Sequence, residues 1–266
     1  MKKTWFRSLR AGLLSAPLVL CTFFSNLSAA PVPGYDPLPK DERKPVLAIG
    51  DSMMRILGAR FEKQFAKEFK EVGKKEKSAT SYSSLGSGLV RDDAFDWYGK
   101  IRELLAEVKP QAVIVMLGAN DRQTIKDDTG RIFEFGSDEW RGEYAKRVGR
   151  AMEELCQDKT VKHVIWMLLP DMKEPIQQDY AKLVNEIIRE QAVLNDLRKE
   201  KILTFDTRLV VSRKPGKYSD FLMVSTKTGA QSIKVREPDG VHFSRAGAEF
   251  LASRVIETFW KDDKKK

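Results

Sequence analysis

Five short runs rich in aliphatic and β-branched residues, at 46–49, 79–83, 112–117, 163–169 and 202–205, alternate with long segments whose apolar residues recur every three or four positions. That alternation leaves few folds open. Runs that are nearly continuously apolar suit strands covered on both faces, and strands alternating with helices pack as a parallel sheet. The chain therefore reads as α/β, a mostly parallel five-stranded sheet with helices on both faces. The helices are marked by Leu57, Phe61, Phe65 and Phe69, and by Ile101, Leu104, Leu105 and Val108. Trp140, Tyr144, Val148, Met152 and Leu155 mark a third behind a Ser137 cap, and Leu183, Ile187, Ile188 and Leu194 a fourth. A last helix opens at Ser244 and runs to about Trp260. Two segments break the pattern. Residues 127–136 form a surface excursion with a turn at Asp128-Thr129-Gly130, and 207–238 holds a hairpin of 222–226 and 231–235 inserted before the final loop.

The first thirty residues stand apart from this pattern. Lys2, Lys3, Arg7 and Arg10 precede an apolar stretch from Ala11 to about Phe24 and then the small residues Ser28, Ala29 and Ala30. This is the layout of a signal peptide cut after Ala29 or Ala30, and it predicts a secreted or periplasmic protein. Membrane contact is expected only through this segment, were it to stay uncleaved. A Pro-rich linker follows at 31–44, then one domain at 45–260 and a charged tail at 261–266. The formal charge of +9 includes the four cations of the signal segment, leaving +5. No Lys/Arg stripe interleaves with aromatics, so nucleic acid is not an expected partner. Cys156 is the one cysteine beyond the signal segment, which excludes an intramolecular disulfide, and its helical context suggests a buried apolar role.

Chemistry concentrates at strand ends. Gly50-Asp51-Ser52 follows the first strand and precedes a helix, so Ser52 is presented at a helix N-terminus, where developing negative charge is favoured. Of the two histidines, His163 heads a strand, whereas His242 lies in a loop, three residues after Asp239 and across Gly240. An aspartate so placed can curl back to the imidazole Nδ1–H, fixing the tautomer and leaving Nε2 to take a serine proton. Asn120 ends the most apolar strand, where its amide can donate to an oxyanion. A backbone N–H in 84–89, where glycines permit close approach, is a further donor. Ser52, Gly88, Asn120 and the Asp239/His242 pair each follow a strand, and in an open parallel sheet those ends share one ligand-binding rim.

These blocks resemble the SGNH (GDSL-type) hydrolase family. Gly50-Asp51-Ser52, Gly88, Gly118-Ala119-Asn120-Asp121 and Asp239-Gly240-Val241-His242 match its four blocks in order. Ser87-Gly88-Leu89-Val90-Arg91 with Asp96-Trp97, and the stretches 118–122 and 140–148, are similar to an exported bacterial branch long catalogued as a domain of unknown function. The resemblance implies a three-layer, doubly wound (flavodoxin-like) sandwich. It implies Ser52 as nucleophile, His242 as base and Asp239 as its orienter. It also implies an oxyanion hole from the Ser52 and Gly88 backbone N–H groups and the Asn120 side chain, with no metal or other cofactor.

The expected activity is a serine esterase that removes short acyl groups, O-acetyl above all, from cell-envelope glycans. An O-acyltransferase, a lysophospholipase or thioesterase would use the same residues, and a non-catalytic glycan-binding assembly factor is the alternative from another class. Asp51, Arg91, Trp97, Arg122 and Arg236 are the candidate substrate-binding residues. For the three arginines, a basic rim for an anionic glycan and local pairing with Asp92, Asp93, Asp121 or Glu237 both fit. Trp97 and Trp140 are candidates for stacking on a sugar ring, and core packing suits Trp140 equally.

Overall fold

A computed structural model describes residues 31–69, 78–127, 129–196, 201–226 and 229–261. The expected signal segment, residues 1–30, and the charged tail from residue 262 onward lie outside the described residues. Strands β1 (Val46–Gly50), β2 (Ala79–Ser83), β3 (Ala112–Met116), β6 (His163–Leu168) and β7 (Ile202–Asp206) form one all-parallel sheet in the order β2-β1-β3-β6-β7. This is the doubly wound order whose direction of winding reverses at β1/β3, the place where such sheets bind ligands. Every residue of β1 and β3 is buried, which is why both runs are apolar throughout.

Helix α1 (Ser52–Glu68) joins β1 to β2 on one face, where it packs against α6 (Arg245–Phe259). The right-handed crossovers through α2 (Trp97–Val108), α3 (Asp138–Gln157) and α4 (Pro175–Asp196) cover the other face, and these three pack in series. Their buried stripes follow the helical repeat with one exception. On α4 the buried positions include Val184, Ile187 and Ile188, whereas Leu194 is 60 % exposed. Six residues beyond Ile188 is about 240° around a helix, so Leu194 faces away from the sheet. Cys156 is buried, as its context suggested. None of the helices among the described residues is long and apolar enough to cross a membrane.

The two interruptions build small antiparallel ribbons. β4 (Ile125–Lys126) pairs with β5 (Ile132–Phe133), and β8 (Phe221–Thr226) with β9 (Gly229–Lys234), after a single-turn α5 (Arg208–Val211). Leu222, Val224 and Ile233 turn inward from the second ribbon while Phe221 and Met223 face out.

The stretch expected as a linker is instead a strap. Val32 and Leu38 are buried, the Val32 N–H donates to Thr258 Oγ1 (2.9 Å) and the Leu38 N–H to the Phe259 carbonyl (2.9 Å). Tyr35 packs edge-on against Phe259 and tilted against Phe205, and its hydroxyl accepts the Asp206 N–H at 3.0 Å. Proline content suggested a spacer, but the interspersed apolar residues give this segment a side to bury. Tyr35→Ala should lower unfolding stability by about 2–3 kcal/mol through lost ring contacts and one orphaned N–H. Urea denaturation checks this; unchanged stability would return the segment to a tether.

Candidate active site

The site is built on the ends of β1, β2 and β3. Gly50 closes β1 where no side chain fits, since a methyl there would lie 2.1 Å from the Met116 carbonyl oxygen. Asp51 is fully buried and caps α1: its Oδ1 accepts the Met53 N–H at 2.9 Å. Its Oδ2 accepts the N–H of Ala119 at 2.9 Å and of Gly118 at 3.2 Å, tying the serine turn to the asparagine turn. Burial pushes the Asp51 carboxyl up to about 7, against the pull of these three N–H donors, with the buried Asp121 nearby raising it further.

Ser52 is the first residue of α1, and its Oγ lies 2.8 Å from His242 Nε2. His242 Nδ1 lies 2.6 Å from Asp239 Oδ2. The other oxygen of Asp239 accepts the Val241 and His242 N–H groups at 2.8 and 3.0 Å, so the carboxylate shapes the loop that it serves. Desolvation works against the Asp239 charge, yet the His242 hydrogen bond and the two N–H donors outweigh it and hold the carboxyl down at about 2. The loop turns through Gly240 at φ +71° and closes with the Glu237 N–H on the His242 carbonyl. With Nδ1–H given to Asp239, Nε2 is the acceptor for the serine proton.

Gly88 and Asn120 flank the serine turn on the neighbouring strand ends. Asn120 Nδ2 donates to the Ser87 carbonyl at 2.9 Å, which uses one of its two hydrogens. Gly88 sits so close to Asp121 that a methyl there would lie 2.0 Å from its Oδ1. That same oxygen accepts the Val90 N–H at 2.9 Å, and Asp121 Oδ2 accepts the Tyr144 hydroxyl at 3.0 Å. Tyr180 completes the support: its hydroxyl accepts the Asp121 N–H and donates to the Gly118 carbonyl. Sequence reasoning did not find this supporting layer. Tyr144 stood in an ordinary apolar helix stripe, and nothing local marks its phenol as bonded.

Two clefts open beside the catalytic loop. One, of about 280 Å³, is lined by Ser52, Arg55, Ile56, Glu237, Asp239 and His242. The other, of about 190 Å³, is lined by Ala119, Arg122, Met172, Gln177, Tyr180 and Val241.

The expected substrate contacts are redistributed. Trp97 is 1 % exposed and its indole N–H donates to Ser87 Oγ at 3.0 Å, so it braces the glycine loop from behind. Trp140 is likewise buried, its N–H on the Gln123 carbonyl. Arg236, also 1 % exposed, lies under the catalytic loop with Nη2 on the carbonyls of Asp171 (3.1 Å) and Gly240 (3.2 Å), and burial lowers it to about 10. Asp51 is consumed by backbone N–H groups. Arg91 is exposed and doubly bonded to Asp93 at 2.7 and 2.8 Å, the local pairing that sequence left open. Of the five, Arg122 lines one of these two clefts. Among the described residues no cluster of three or more His, Cys, Asp or Glu could hold a metal ion.

A winding order of this kind, with serine, glycine, asparagine and Asp–His blocks on one rim, is the SGNH hydrolase fold. The chain belongs to the family described as "Protein of unknown function (DUF459)", whose model matches residues 45–258. Solved structures share the fold at low identity. The lipase/acylhydrolase from Enterococcus faecalis is 18 % identical with a TM-score of 0.51, covering 80 % of this chain and 95 % of its own. LAE5, an alpha/beta hydrolase enzyme from the metagenome of Lake Arreo, is 17 % identical with a TM-score of 0.51 over 86 % and 94 %. A variant of Axe2, an acetyl xylan esterase from Geobacillus stearothermophilus, is 17 % identical with a TM-score of 0.50 over 80 % and 93 %. No curated protein matches the chain.

The depressed carboxyl of Asp239 gives a signed pH prediction. Its bonded, ionised form stabilises the fold above the unfolded carboxyl range near pH 4, and this contribution is lost as pH falls towards about 2. The Asp239 side chain is 49 % exposed, so the contribution is screened to at most about 1 kcal/mol. The melting temperatures of wild type and Asp239→Asn should therefore differ most above pH 5 and converge near pH 2. A gap that widened in acid would contradict this sign.

Proposed function

We propose that the protein is an extracytoplasmic serine esterase that removes short acyl groups, foremost acetyl, from glycans. The observation that carries the reading is the Ser52–His242–Asp239 relay, at 2.8 and 2.6 Å, beside an open cleft. Ser52 Oγ attacks the ester carbonyl carbon while Nε2 takes its proton. The carbonyl oxygen becomes an oxyanion facing the N–H groups of Ser52 and Gly88 and the second amide hydrogen of Asn120. As the oxyanion collapses and the C=O bond re-forms, the acyl C–O bond breaks and its electron pair goes to the sugar oxygen, which leaves with the proton from Nε2. Water, deprotonated by His242, then attacks the acyl-serine, releasing the acid and restoring Ser52. Asp239, ionised across the neutral range, stabilises the imidazolium in both halves.

The acyl-hydrolase and acetylesterase names of proteins sharing the fold are in keeping with this reading, and the N-terminal segment supports export. Turnover of p-nitrophenyl esters of graded length and of acetylated glycans tests it, alongside fluorophosphonate labelling. Short esters should be cleaved best and Ser52 labelled; absence of labelling on folded protein would remove the serine mechanism. Acetyl appearing on an added acceptor sugar instead of as free acetate would reassign the chain to acyl transfer. A mature N-terminus found near residue 30 by mass spectrometry would bear on the proposed export.

Ser52→Ala and His242→Ala should each reduce kcat by about 10⁴–10⁶, and the double variant should be little worse than either, since the pair acts as a unit. Additive losses in steady-state kinetics would break the pairing.

Asn120→Ala should lower kcat by about 10²–10³ with KM nearly unmoved, because its donation strengthens only as charge develops on the oxygen. A destabilised variant with full turnover would reduce Asn120 to a clamp on the Ser87 carbonyl.

A further inference from the structure

The second cleft has a chemistry of its own. Its lining of Ala119, Met172, Tyr180 and Val241 is closed at its polar end by Arg122 and Gln177. Arg122 is exposed, stands two residues beyond Asn120, and lies with its guanidinium carbon 5.8 Å from the Phe135 ring centroid, a contact that restrains it. It forms no ion pair with any described carboxylate. Three other surface arginines do form ion pairs, Arg102 with Glu154, Arg131 with Asp127 and Arg141 with Glu190. The acid next to Arg122 in sequence, Asp121, is turned inward and bonded to the Val90 N–H and the Tyr144 hydroxyl. No described carboxylate therefore answers the Arg122 charge. Lys173, next in sequence to the cleft residue Met172, is exposed, and its chain lies against Gly240, where a methyl would meet the Lys173 Cβ at 2.3 Å.

Gln177 supplies an independent observation. Its Oε1 is buried and has no hydrogen-bond partner. An unsatisfied buried acceptor is a standing cost that a donor from a ligand removes. An unpaired guanidinium and an unsatisfied acceptor, on two residues that line one cleft, suit a ligand that carries a carboxylate and a hydroxyl together. That combination is an acidic sugar. The first cleft differs in that two carboxylates, those of Glu237 and Asp239, line it together with Arg55.

We infer that the Arg122–Gln177 cleft is a subsite for a carboxylate-bearing sugar, so that the preferred substrates are acylated acidic glycans. This rests on the esterase reading above and narrows it to a substrate class. Arg122 holds the carboxylate as a charge-assisted, forked pair and Gln177 Oε1 accepts a ring hydroxyl. The recognition is partly exposed, so it weakens as salt rises.

The test compares kcat/KM on acetylated polygalacturonate with that on acetylated xylan of matched acetylation. The acidic glycan should be favoured by about tenfold or more at low salt, with the advantage in KM and shrinking at high salt. Arg122→Gln should cut the acidic-to-neutral ratio at least about fivefold and Arg122→Glu should invert it, with melting temperatures reporting that both variants fold. In a second arm, oligogalacturonate is titrated by calorimetry into Ser52→Ala protein, where adding Arg122→Gln should weaken binding about tenfold. Equal use of both glycans, or binding indifferent to Arg122, overturns the acidic subsite and leaves the esterase standing. Failure of the wild type to cleave any ester overturns the esterase instead, and the calorimetric arm still decides the subsite.

Discussion

Everything at the rim hangs on one carboxylate. Asp51 follows the first strand directly, and its two oxygens gather N–H groups from two separate turns, Met53 on one side and Gly118 with Ala119 on the other. A charged acceptor is well suited to three donors, but full burial opposes the charge, and its raised proton affinity records that tension. The return is geometric. Ser52 begins the helix that Asp51 caps, and Asn120 follows the turn that Asp51 binds, so the Ser52 hydroxyl and the Asn120 amide share one frame. Polar networks of this kind rigidify when every member is satisfied.

A second buried carboxylate repeats the device one strand over. Asp121 fixes the glycine loop through the Val90 N–H and anchors itself on Tyr144 and, through its own N–H, on Tyr180. Gly88 has room for a hydrogen and nothing larger against it. Arg236 does the corresponding work for the catalytic loop from beneath, holding the Gly240 carbonyl. The three loops that meet at Ser52 are thus each tied down by an ionisable group that stays out of reach of a ligand.

The sequence disclosed the sheet because burial on both faces leaves a near-continuous apolar signature, and the reactive residues because each closes a strand. It was weaker wherever direction mattered. Position along the chain placed Trp97 and Arg236 beside the blocks, but whether a side chain points outward or beneath depends on packing that no local pattern encodes. Leu194 shows the same limit on a helix, where an apolar residue near the stripe lies outside it by its angle alone. The strap at 32–38 was masked by its prolines, and its anchoring depends on Phe205 and Phe259, far along the chain. Tyr144 and Tyr180 look like core residues, and they are; only the fold reveals what their hydroxyls meet.

The histidine side chain remains 37 % exposed and the aspartate behind it 49 %. A relay so open has a kinetic corollary under the proposed chemistry. An acyl-serine formed there is bathed by solvent from the moment the alcohol departs, without a lid among the described elements having to lift. Any rival acceptor must compete with water at its bulk abundance, so it would have to be held in place before the bond breaks. Under the same proposed chemistry, a relay this exposed can meet an acyl group in the middle of a polymer as readily as at its ends.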